Sequence, residues 1–495
     1  MKKAVVIGSG FAGMSAASFL ARDGWEVILL EKHDMPGGRA RQFKAEGFTF
    51  DMGPSWYWMP DVFEHYFNSF GKKVADYYEL VRLDPSYRVY WPDGPMDIPA
   101  DYPKLKLVFE NIEPGAGAKL DQFMAEAAFK YEVGINKLVQ KPGRSLSEFL
   151  DIDLAKGVLK LDVFTSMKKH VGKYFKHTKL RQLMEFPVLF LGAMAENIPA
   201  LYSLMNYADI KLGTWYPKNG MFQIVAGMHS LASQLGVQFH FNSNVVKFNI
   251  ADGIINGVIV RADDGKETVY DADVVIAGAD YNHVEQHLLP AEYRSYSKKY
   301  WETRVMAPSS LLYFVGLKKK LSTVIHHALF FDVDFGKHAD EIYKKPDWPS
   351  DPLFYVSATS VTDKTAAPEG CENLFFLVPV ASGLTGDTEE LRNKYFYRIV
   401  ERFEALTGEQ IAADIVYKRS YAIADFKNDY NAFKGNAYGL ANTLMQTAIL
   451  KPAMKSKKIN NLYYTGQLTV PGPGVPPSLI SGEVVAREIN KDFKN

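Results

Sequence analysis

Three glycines and one acidic residue near the start of the chain have the types and spacing that bind a dinucleotide. Gly8, Gly10 and Gly13 form the pattern G-x-G-x-x-G. In this pattern the first glycine permits a tight turn, the second lets the backbone approach a pyrophosphate, and the third lets a helix pack closely. Glu31 is the acid expected about 20 residues further on, where it binds the ribose hydroxyls. The residues therefore predict a helix N-terminus that holds anionic phosphates.

The elements needed to position these residues follow in the right order. An apolar, β-branched run over residues 4–7 predicts a buried strand, residues 14–22 predict a helix, and residues 27–30 predict a second strand that ends at Glu31. A glycine-rich turn alone is a weak signal, but the complete series is specific. We therefore predict a Rossmann-like nucleotide-binding unit at the start of the chain.

A second glycine motif extends the first. Gly37, Gly38 and Arg39 add backbone N–H groups and a fork-shaped cation for the same pyrophosphate. With this continuation the sequence resembles the flavoprotein superfamily that includes amine oxidases and carotenoid desaturases. The resemblance implies FAD as the cofactor, and nothing in the sequence marks a residue for its covalent attachment.

Composition limits the size of the core and the partners. A chain of 495 residues, 47% of them hydrophobic, predicts two or three subdomains. The 57 basic and 57 acidic residues balance, which argues against a nucleic-acid partner. The single cysteine, Cys371, excludes a disulfide framework and is typical of a reducing cytoplasm. The first strand leaves no room for a signal peptide, and prolines interrupt the longest charge-free stretch, so we expect a cytoplasmic chain without a membrane span.

The segments that follow the second glycine motif are interpreted as parts of the flavin site and of the substrate domain. Residues 48–55 predict a short strand and a turn. In the flavoproteins that the chain resembles, this segment runs beside the flavin, which implies contacts from Gly53, Pro54 and Ser55. The rings of residues 56–58 either wall a binding cavity or belong to the core, and their position favours the cavity. Residues 88–98 predict a strand, a turn and a strand that form a hairpin of the substrate domain.

A helical region follows. Residues 101–211 have helical periodicity, which predicts an all-helical cap over the flavin. Its second half contains two apolar runs, residues 186–195 and 198–205, that are too short to cross a bilayer. They fit a helix pair that enters one leaflet or frames a lipid entrance. A buried helical hairpin of the cap is an equal alternative.

The chain then returns to nucleotide binding. Residues 237–246 predict a strand and a turn, and related flavoproteins use a backbone contact from the position of Val245 to the adenine. Residues 272–279 predict a core strand that ends in a glycine turn at Gly278. Residues 304–420 alternate apolar strands with loops, which predicts the sheet of the substrate domain.

His326 and His327 lie within this last region. The sequence has no second cluster of ligands at a suitable spacing. We therefore interpret both histidines as structural or cavity-lining residues and expect no metal.

The closing stretch indicates the specific family. Residues 461–466 predict the last strand of the nucleotide fold, and the Pro/Gly-rich loop over residues 471–482 leads a backbone almost free of side chains into a helix N-terminus. This loop, with the segments 351–356, 367–370 and 435–440, resembles the bacterial carotenoid desaturases of the phytoene-desaturase type. The likeness runs from Gly8 to Val485. Many relatives carry Thr-His before the Pro-Gly of this loop, whereas Val470 follows Thr469 here, so no role is carried over for that histidine.

The resemblance implies desaturation of a long acyclic polyene by hydride transfer to flavin N5. Phytoene-to-lycopene desaturation is the first expectation. A hydroxylated-carotenoid 3,4-desaturase, a carotene isomerase, an amine oxidase and a non-enzymatic flavin-bearing escort protein are alternatives. No catalytic dyad or triad is found, so no catalytic residue is named. The substrate implies peripheral contact of a cytoplasmic protein with the inner membrane, and the electron acceptor is left open between a quinone and oxygen.

The predicted fold is α/β, with a Rossmann-like FAD-binding domain that is split in sequence, a mixed-sheet substrate domain and a helical cap. The predicted boundaries are 1–75, 216–290 and 446–495 for the FAD-binding domain, 76–100 and 291–445 for the substrate domain, and 101–215 for the cap and membrane-contact region. The residues predicted to bind FAD are Gly8, Gly10, Phe11, Ala12, Gly13, Glu31, Lys32, Gly38, Arg39, Gly53, Pro54, Ser55, Val245, Gly278, Gly466, Gln467, Val475, Pro476 and Ser478.

Overall fold

The computed structural model describes residues 1–145, 148, 161–262 and 264–493. The strands of this part are β1 (Lys3–Ile7), β2 (Glu26–Leu30), β3 (Gln42–Ala45), β4 (Phe48–Asp51), β5 (Leu80–Arg82), β6 (Tyr87–Trp91), β7 (Gly94–Ile98), β8 (Trp215–Pro217), β9 (Gln238–His240), β10 (Asn244–Ala251), β11 (Ile254–Arg261), β12 (Glu267–Asp271), β13 (Val274–Ala277), β14 (Ser309–Leu317), β15 (His327–Phe330), β16 (Phe354–Ser357), β17 (Glu372–Val380), β18 (Ile415–Tyr421) and β19 (Leu462–Tyr464).

The α-helices of the same part are α1 (Phe11–Arg22), α2 (Pro60–Asn68), α3 (Tyr102–Ile112), α4 (Ala116–Val133), α5 (Met167–Tyr174), α6 (Thr178–Glu185), α7 (Leu204–Tyr207), α8 (Phe222–Gln234), α9 (Tyr281–His283), α10 (Lys298–Glu302), α11 (Phe335–Tyr343), α12 (Thr359–Thr362), α13 (Glu389–Thr407), α14 (Ile423–Tyr430) and α15 (Val475–Phe493).

A five-stranded parallel sheet forms the nucleotide half of the molecule. Its strand order is β19-β13-β1-β2-β9, so three separated segments of the chain contribute to it. The strands β1 and β13 are apolar, β-branched and almost entirely buried, as expected for a parallel sheet that is covered on both faces. The helices α1 and α15 pack against each other in this half.

A seven-stranded mixed sheet forms the other half. Its order is β18-β14-β17-β16-β15-β6-β7, and β15 pairs with β6 in parallel while the remaining neighbours are antiparallel. The predicted hairpin at residues 88–98 is confirmed, since β6 and β7 pair directly. The α/β class with a mixed second sheet is therefore as predicted.

The regular elements in the described part of the region between β7 and β8 are helices, joined by turns and irregular stretches. The apolar runs at 186–205, however, do not form the predicted helix pair. They contain two short 3-10 helices, Phe186–Leu191 and Ala200–Ser203. Pro187 and Pro199 start these turns, and Gly192 ends the first with a φ of +84°, so a continuous α-helix is not formed.

The burial of these runs fits the alternative of a buried segment. Phe186, Val188, Ile198 and Ala200 are buried, and the Phe186 ring packs against Trp56 and Tyr87. Among the described residues, no helix combines the length and the apolar character required to span a membrane.

Candidate flavin and substrate site

One continuous cavity runs from the carboxyl ends of the parallel strands into the seven-stranded sheet. Its wall contains every residue predicted from the sequence to bind FAD except Gly13. The nucleotide sheet, the second glycine motif, the turn at residues 53–55 and the closing loop are thus brought together around one space.

In the first glycine turn, Gly10 faces the cavity, whereas Gly13 packs against the protein backbone. A Cβ atom on Gly10 would lie farther than 4 Å from any protein atom outside its own turn, so the backbone there faces free space in the cavity. A Cβ atom on Gly13 would lie 2.0 Å from the carbonyl oxygen of Gly8, which explains why Gly13 packs behind the cavity instead of lining it. Gly8 itself has a φ of +94°, and its N–H donates to the Leu30 carbonyl at 2.8 Å.

Glu31 is held at the end of β2. It is only 4% exposed. Its Oε2 accepts from the backbone N–H and the hydroxyl of Ser9, and its Oε1 accepts from the backbone N–H of His33 at 3.0 Å. These three donors fix the carboxylate at the cavity wall, beside Ser243 and Val245 at the start of β10.

Arg39 lies buried between the glycine motifs and the last strand. Its Nη2 donates to the Asn436 carbonyl at 3.2 Å and lies 3.0 Å from the side-chain amide of Gln467. Its Nε has no hydrogen-bond partner among the described residues. Burial lowers the pKa of the guanidinium, and the Asp280 carboxylate opposes this shift. An unpaired N–H on a cation beside a glycine cradle is the donor arrangement that suits a pyrophosphate.

Two helices begin at the cavity, next to each other. The first turns of α1 and α15 both contribute to its wall. They approach closely because a Cβ atom on Gly482 would lie 2.5 Å from both the Ala12 carbonyl oxygen and the Ser15 Cβ, and the Ser15 hydroxyl donates to the Leu479 carbonyl at 2.7 Å. Two positive helix ends therefore face one space, which favours an anionic ligand there.

The other half of the cavity is lined mainly by apolar side chains from the seven-stranded sheet, α11 and the cap: Leu189, Met205, Leu312, Leu329, Phe331, Phe335, Ala339, Ile342, Leu353 and Leu377. Trp56, Trp58 and Met59 lie in the wall, as predicted for the aromatic stretch. Tyr57 is buried outside the wall, where its ring stacks on Phe63 at 4.3 Å.

Three tyrosines bring hydroxyl groups to the border between the two halves. Tyr343, Tyr355 and Tyr438 all line the cavity. Tyr355 hydrogen-bonds to Ser55, and its hydroxyl lies 2.7 Å from His327 Nδ1. Tyr438 hydrogen-bonds to Ser310. Burial raises the pKa of all three phenols, so they are hydrogen-bond donors at neutral pH.

Sequence reasoning missed these three tyrosines. The signals in the sequence were the segments 351–356 and 435–440, which contain Tyr355 and Tyr438 and contributed to the family resemblance.

Comparisons with known proteins agree with this arrangement. The family described as "Flavin containing amine oxidoreductase" matches residues 11–490. The chain belongs to this flavoprotein family. It is 40% identical to a carotenoid 3,4-desaturase of Haloarcula japonica, over 99% of this chain and 98% of the relative. It is 31% identical to a zeta-carotene-forming phytoene desaturase of Myxococcus xanthus, over 99% and 94% of the two chains. Its relatives thus place it among the carotenoid desaturases of the family.

Solved structures show the same fold at low identity. An oxidoreductase from Methanosarcina mazei superposes with a TM-score of 0.62 at 16% identity, over 98% of this chain and all of the other. Cyclohexylamine oxidase from Brevibacterium oxydans superposes with a TM-score of 0.59 at 14% identity, over the full length of both chains.

The flavin of this family fits the nucleotide half of the cavity. The orphaned Nε of Arg39, the open space at Gly10 and the two helix N-termini supply donors and room for a phosphorylated cofactor. The turn at residues 53–55 and the closing loop line the same cavity. Gly53 is required at that turn because a Cβ atom there would lie 2.1 Å from the Arg39 carbonyl oxygen.

Charged groups in the wall of this flavoprotein's cavity are confined to the nucleotide half. In the described wall the carboxylates are Glu31, Asp280 and Asp429. Among the described residues that line the substrate half, the one histidine is His338, and both of its ring nitrogens are hydrogen-bonded. Nδ1 accepts from the Leu353 N–H at 3.0 Å, and Nε2 donates to the Pro379 carbonyl at 2.9 Å. Burial lowers the pKa of His338 to about 4, so it is a neutral structural residue and not a base for the substrate.

A group of possible metal ligands lies away from the cavity, in the cap. Glu126, Asp162 and His170 have ligand atoms within 4.8 Å of one another. The buried ammonium of Lys130 lies 2.9 Å from Asp162 and 3.4 Å from His170 Nε2. A cation of the protein already neutralises this cluster, so we assign no metal to it. The sequence predicts that His326 and His327 are structural or line the cavity. Both are buried, and His327 stacks on Trp56 at 4.2 Å, which favours the structural alternative.

Proposed function

We propose that the protein is an FAD-dependent desaturase of an acyclic carotenoid. The observation that carries the proposal is the continuous cavity that joins a flavin site to an apolar chamber without a charged group in its described wall. A hydrocarbon chain needs such a chamber, whereas an amine substrate needs groups that stabilise a cation. The named activities of the 40% and 31% identical relatives support the same choice.

FAD is proposed over a mononucleotide flavin because the cavity extends past the pyrophosphate donors. Glu31, Ser243, Val245 and His283 line this extension, which has the position and the acid expected for an adenosine group. Release of the cofactor by denaturation, followed by chromatography against FAD and FMN standards, tests the assignment. A colourless supernatant, or one that contains FMN, would refute it.

A bound flavin supplies the hydride acceptor for removal of two hydrogens from adjacent carbons. The residues of the chain orient the polyene and exclude water. Trp56 and Trp58 form one wall near Ser55, and the apolar side chains of β14 and β15 form another. No described group in the substrate half is an obvious proton acceptor. This agrees with the absence of a catalytic dyad or triad in the sequence.

The position of the bond that is oxidised separates two candidates. Phytoene-type desaturation acts on interior bonds, whereas a 3,4-bond lies near the end of the carotenoid chain. The hydroxyls of Tyr343, Tyr355 and Tyr438 lie next to the flavin end of the chamber, where they match a chain end that carries a hydroxyl. The higher identity to the 3,4-desaturase supports oxidation of the 3,4-bond. The tyrosine cluster supports a hydroxylated substrate.

Pigment analysis distinguishes the two candidates. The gene is expressed in one bacterium that accumulates phytoene and in another that accumulates a 1-hydroxylated acyclic carotenoid, and the products are separated by chromatography. Extra double bonds in only the second strain support the 3,4-reaction, and lycopene in the first supports the phytoene reaction. Unchanged pigments in both strains, with flavin bound, would refute carotenoid desaturation.

We further propose that the protein collects its substrate at a membrane surface, because a long hydrocarbon is nearly insoluble in water. The 444–450 patch consists of Val305 (47% exposed), Leu444 (41%), Met445 (72%) and Leu450 (43%). The Gln446 amide holds it together through hydrogen bonds to both backbone groups of Val305 at 2.9 and 2.8 Å. Arg304 adjoins the patch and lies over the Tyr300 ring, a combination suited to a lipid interface.

Flotation with liposomes tests the patch. The double variant Met445→Asp, Leu450→Asp is expected to remain in the soluble fraction and not to float with the liposomes, while it keeps its bound flavin. Leu189→Asp is the matched control, since Leu189 lines the cavity and its change leaves the outer surface intact. Unchanged liposome binding by the folded, yellow double variant would refute the role of the patch.

A further inference from the structure

Lys451 is a buried basic residue without a partner. It follows the turn Ala448–Leu450, is 4% exposed, and its Nζ makes no hydrogen bond to the described residues. Burial of an unpaired ammonium is costly, and it lowers the pKa of Lys451 to about 7. Packing alone does not explain a lysine at this position, because an apolar side chain would fill the space without this cost.

The Lys451 side chain ends directly behind the closing loop. A Cβ atom on Gly472 would lie 3.0 Å from Lys451 Nζ and 2.8 Å from Asn442 Oδ1. Gly472 has a φ of +134°, and Asn442 Oδ1 is a second buried atom without a described partner. The amine and the amide oxygen therefore flank the same glycine, and the next two residues, Pro473 and Gly474, line the cavity where the flavin ring fits.

The charged groups nearest to Lys451 along the chain and on the adjoining helix are paired with one another. Lys455 pairs with Asp492, and Arg144 pairs with Asp492 and Glu488. The segments 442–447 and 467–474 contain no titratable side chain. Within the described part of the chain, the titratable side chains that hydrogen-bond to residues 447–453 from other elements are three phenols: Tyr202 bonds to Thr447, and the hydroxyls of Tyr281 and Tyr296 bond to the backbone of Ala453. Burial raises the pKa of each phenol, so all three are neutral at physiological pH.

We propose that Lys451 is a positioning residue for flavin reduction, whose amine takes up a proton behind Gly472 when the flavin ring gains negative charge. The substrate C–H bond breaks with its electron pair, and the hydride is transferred to the flavin. The neighbouring substrate carbon releases a proton to solvent, and Lys451 gains one from solvent, so charge and protons balance. The proposal rests on the flavin site, and the carotenoid assignment is not needed for it.

The physical basis is the weak screening around a buried charge. An ammonium on one side of the loop stabilises negative charge on the other side more strongly than it would in water. The effect is reciprocal: a reduced, anionic ring raises the pKa of Lys451, and a protonated Lys451 raises the midpoint potential of the flavin. The N-terminus of α15 acts on the same ring in the same direction.

The test is the midpoint potential of the bound flavin between pH 6 and pH 9, measured by equilibration with redox dyes. One extra proton per two electrons makes the wild-type potential fall more steeply with pH, by about 30 mV per unit, near and above pH 7. Lys451→Met is expected to have a lower potential at pH 6, a shallower slope, and a value that converges with the wild type at pH 9. Lys455→Met makes the same charge change away from Gly472 and is expected to follow the wild-type curve.

Asn442→Asp provides a second variant if Lys451→Met loses its flavin. A carboxylate there would keep Lys451 protonated through the whole range, so the extra slope is expected to vanish. A wild-type slope in whichever of these two variants retains flavin would overturn the proposal. Because no carotenoid is added, the result is independent of the substrate assignment.

Discussion

Oε2 of Glu31 accepts two hydrogen bonds from Ser9, one from its backbone N–H at 2.8 Å and one from its hydroxyl at 2.7 Å. The same carboxylate that the dinucleotide motif assigns to the ribose thus also locks the first glycine turn to the end of β2. Cofactor recognition and the conformation of the turn depend on one buried side chain.

Glu31→Gln is expected to weaken flavin binding by about 10- to 100-fold, because an amide replaces one acceptor oxygen with a donor that faces the Ser9 N–H. Glu31→Arg is expected to abolish binding, since it removes the ribose acceptor altogether. Titration of the cofactor-free protein with FAD, followed by flavin fluorescence, measures both. Ser9→Ala removes only the hydroxyl donor and should have a smaller effect than either. Equal affinity of wild type and Glu31→Gln would contradict the assigned role.

The second and third glycines of the motif, Gly10 and Gly13, make a matched pair. Gly10→Val adds a side chain to open space that the phosphates need, and its φ of −70° suits valine. The variant is expected to fold normally and to be colourless. Gly13→Ala places a Cβ atom 2.0 Å from the Gly8 oxygen and should cost about 3 kcal/mol of unfolding free energy or more. Thermal unfolding followed by circular dichroism separates the two outcomes. A yellow Gly10→Val protein would show that the phosphates bind elsewhere.

The nucleotide half could be predicted from the sequence because its signals are local. The glycines, Glu31 and Arg39 lie within about 30 residues of one another, and their backbone conformations leave few alternatives. Tyr343, Tyr355 and Tyr438 could not be grouped in this way. They come from the end of α11, from β16 and from an irregular segment, and only the tertiary fold brings these distant segments to one wall.

The apolar runs at 186–205 illustrate a second limit. Hydropathy describes how apolar a segment is, but it does not say whether lipid or protein covers it. Trp56 and Tyr87 cover Phe186 here. Gln446 and Thr447 interrupt the apolar residues of the segment 444–450, and Val305 lies far from that segment in the sequence, so the patch formed no long apolar run.

Acid is expected to destabilise the protein through its buried histidines. The pKa of His338 is lowered to about 4 by burial, against about 6.5 in the unfolded chain. The unfolded state therefore binds more protons at low pH. The contribution of His338 is fully present above pH 6.5 and is lost as the pH falls to 4, a change of about 3 kcal/mol at most.

His338→Gln is expected to have a lower melting temperature at pH 7.5 but a flatter decline between pH 6.5 and 4. His177→Gln changes an exposed histidine and should retain the wild-type slope. Melting temperatures across this pH range test the prediction, and parallel curves for wild type and His338→Gln would contradict it.

The tyrosine hydroxyls predict a selective effect on substrate choice. If Tyr343 and Tyr438 bind a hydroxyl at the end of the substrate, their replacement by phenylalanine removes donors without changing the shape of the wall. Each change should cost about 1 kcal/mol in binding of the hydroxylated chain, or roughly fivefold in kcat/KM, and the double variant more.

Turnover of a hydrocarbon carotenoid without the hydroxyl should be unchanged or improved, because fewer polar groups remain unpaired against it. Tyr57→Phe removes a buried hydroxyl outside the wall, which hydrogen-bonds to the Tyr78 hydroxyl at 3.0 Å, and should not alter the ratio of the two substrates. Competition assays with both carotenoids in the same liposomes give that ratio directly. An equal loss for both substrates in the double variant would mean that the hydroxyls support the fold of the chamber and do not recognise the chain end.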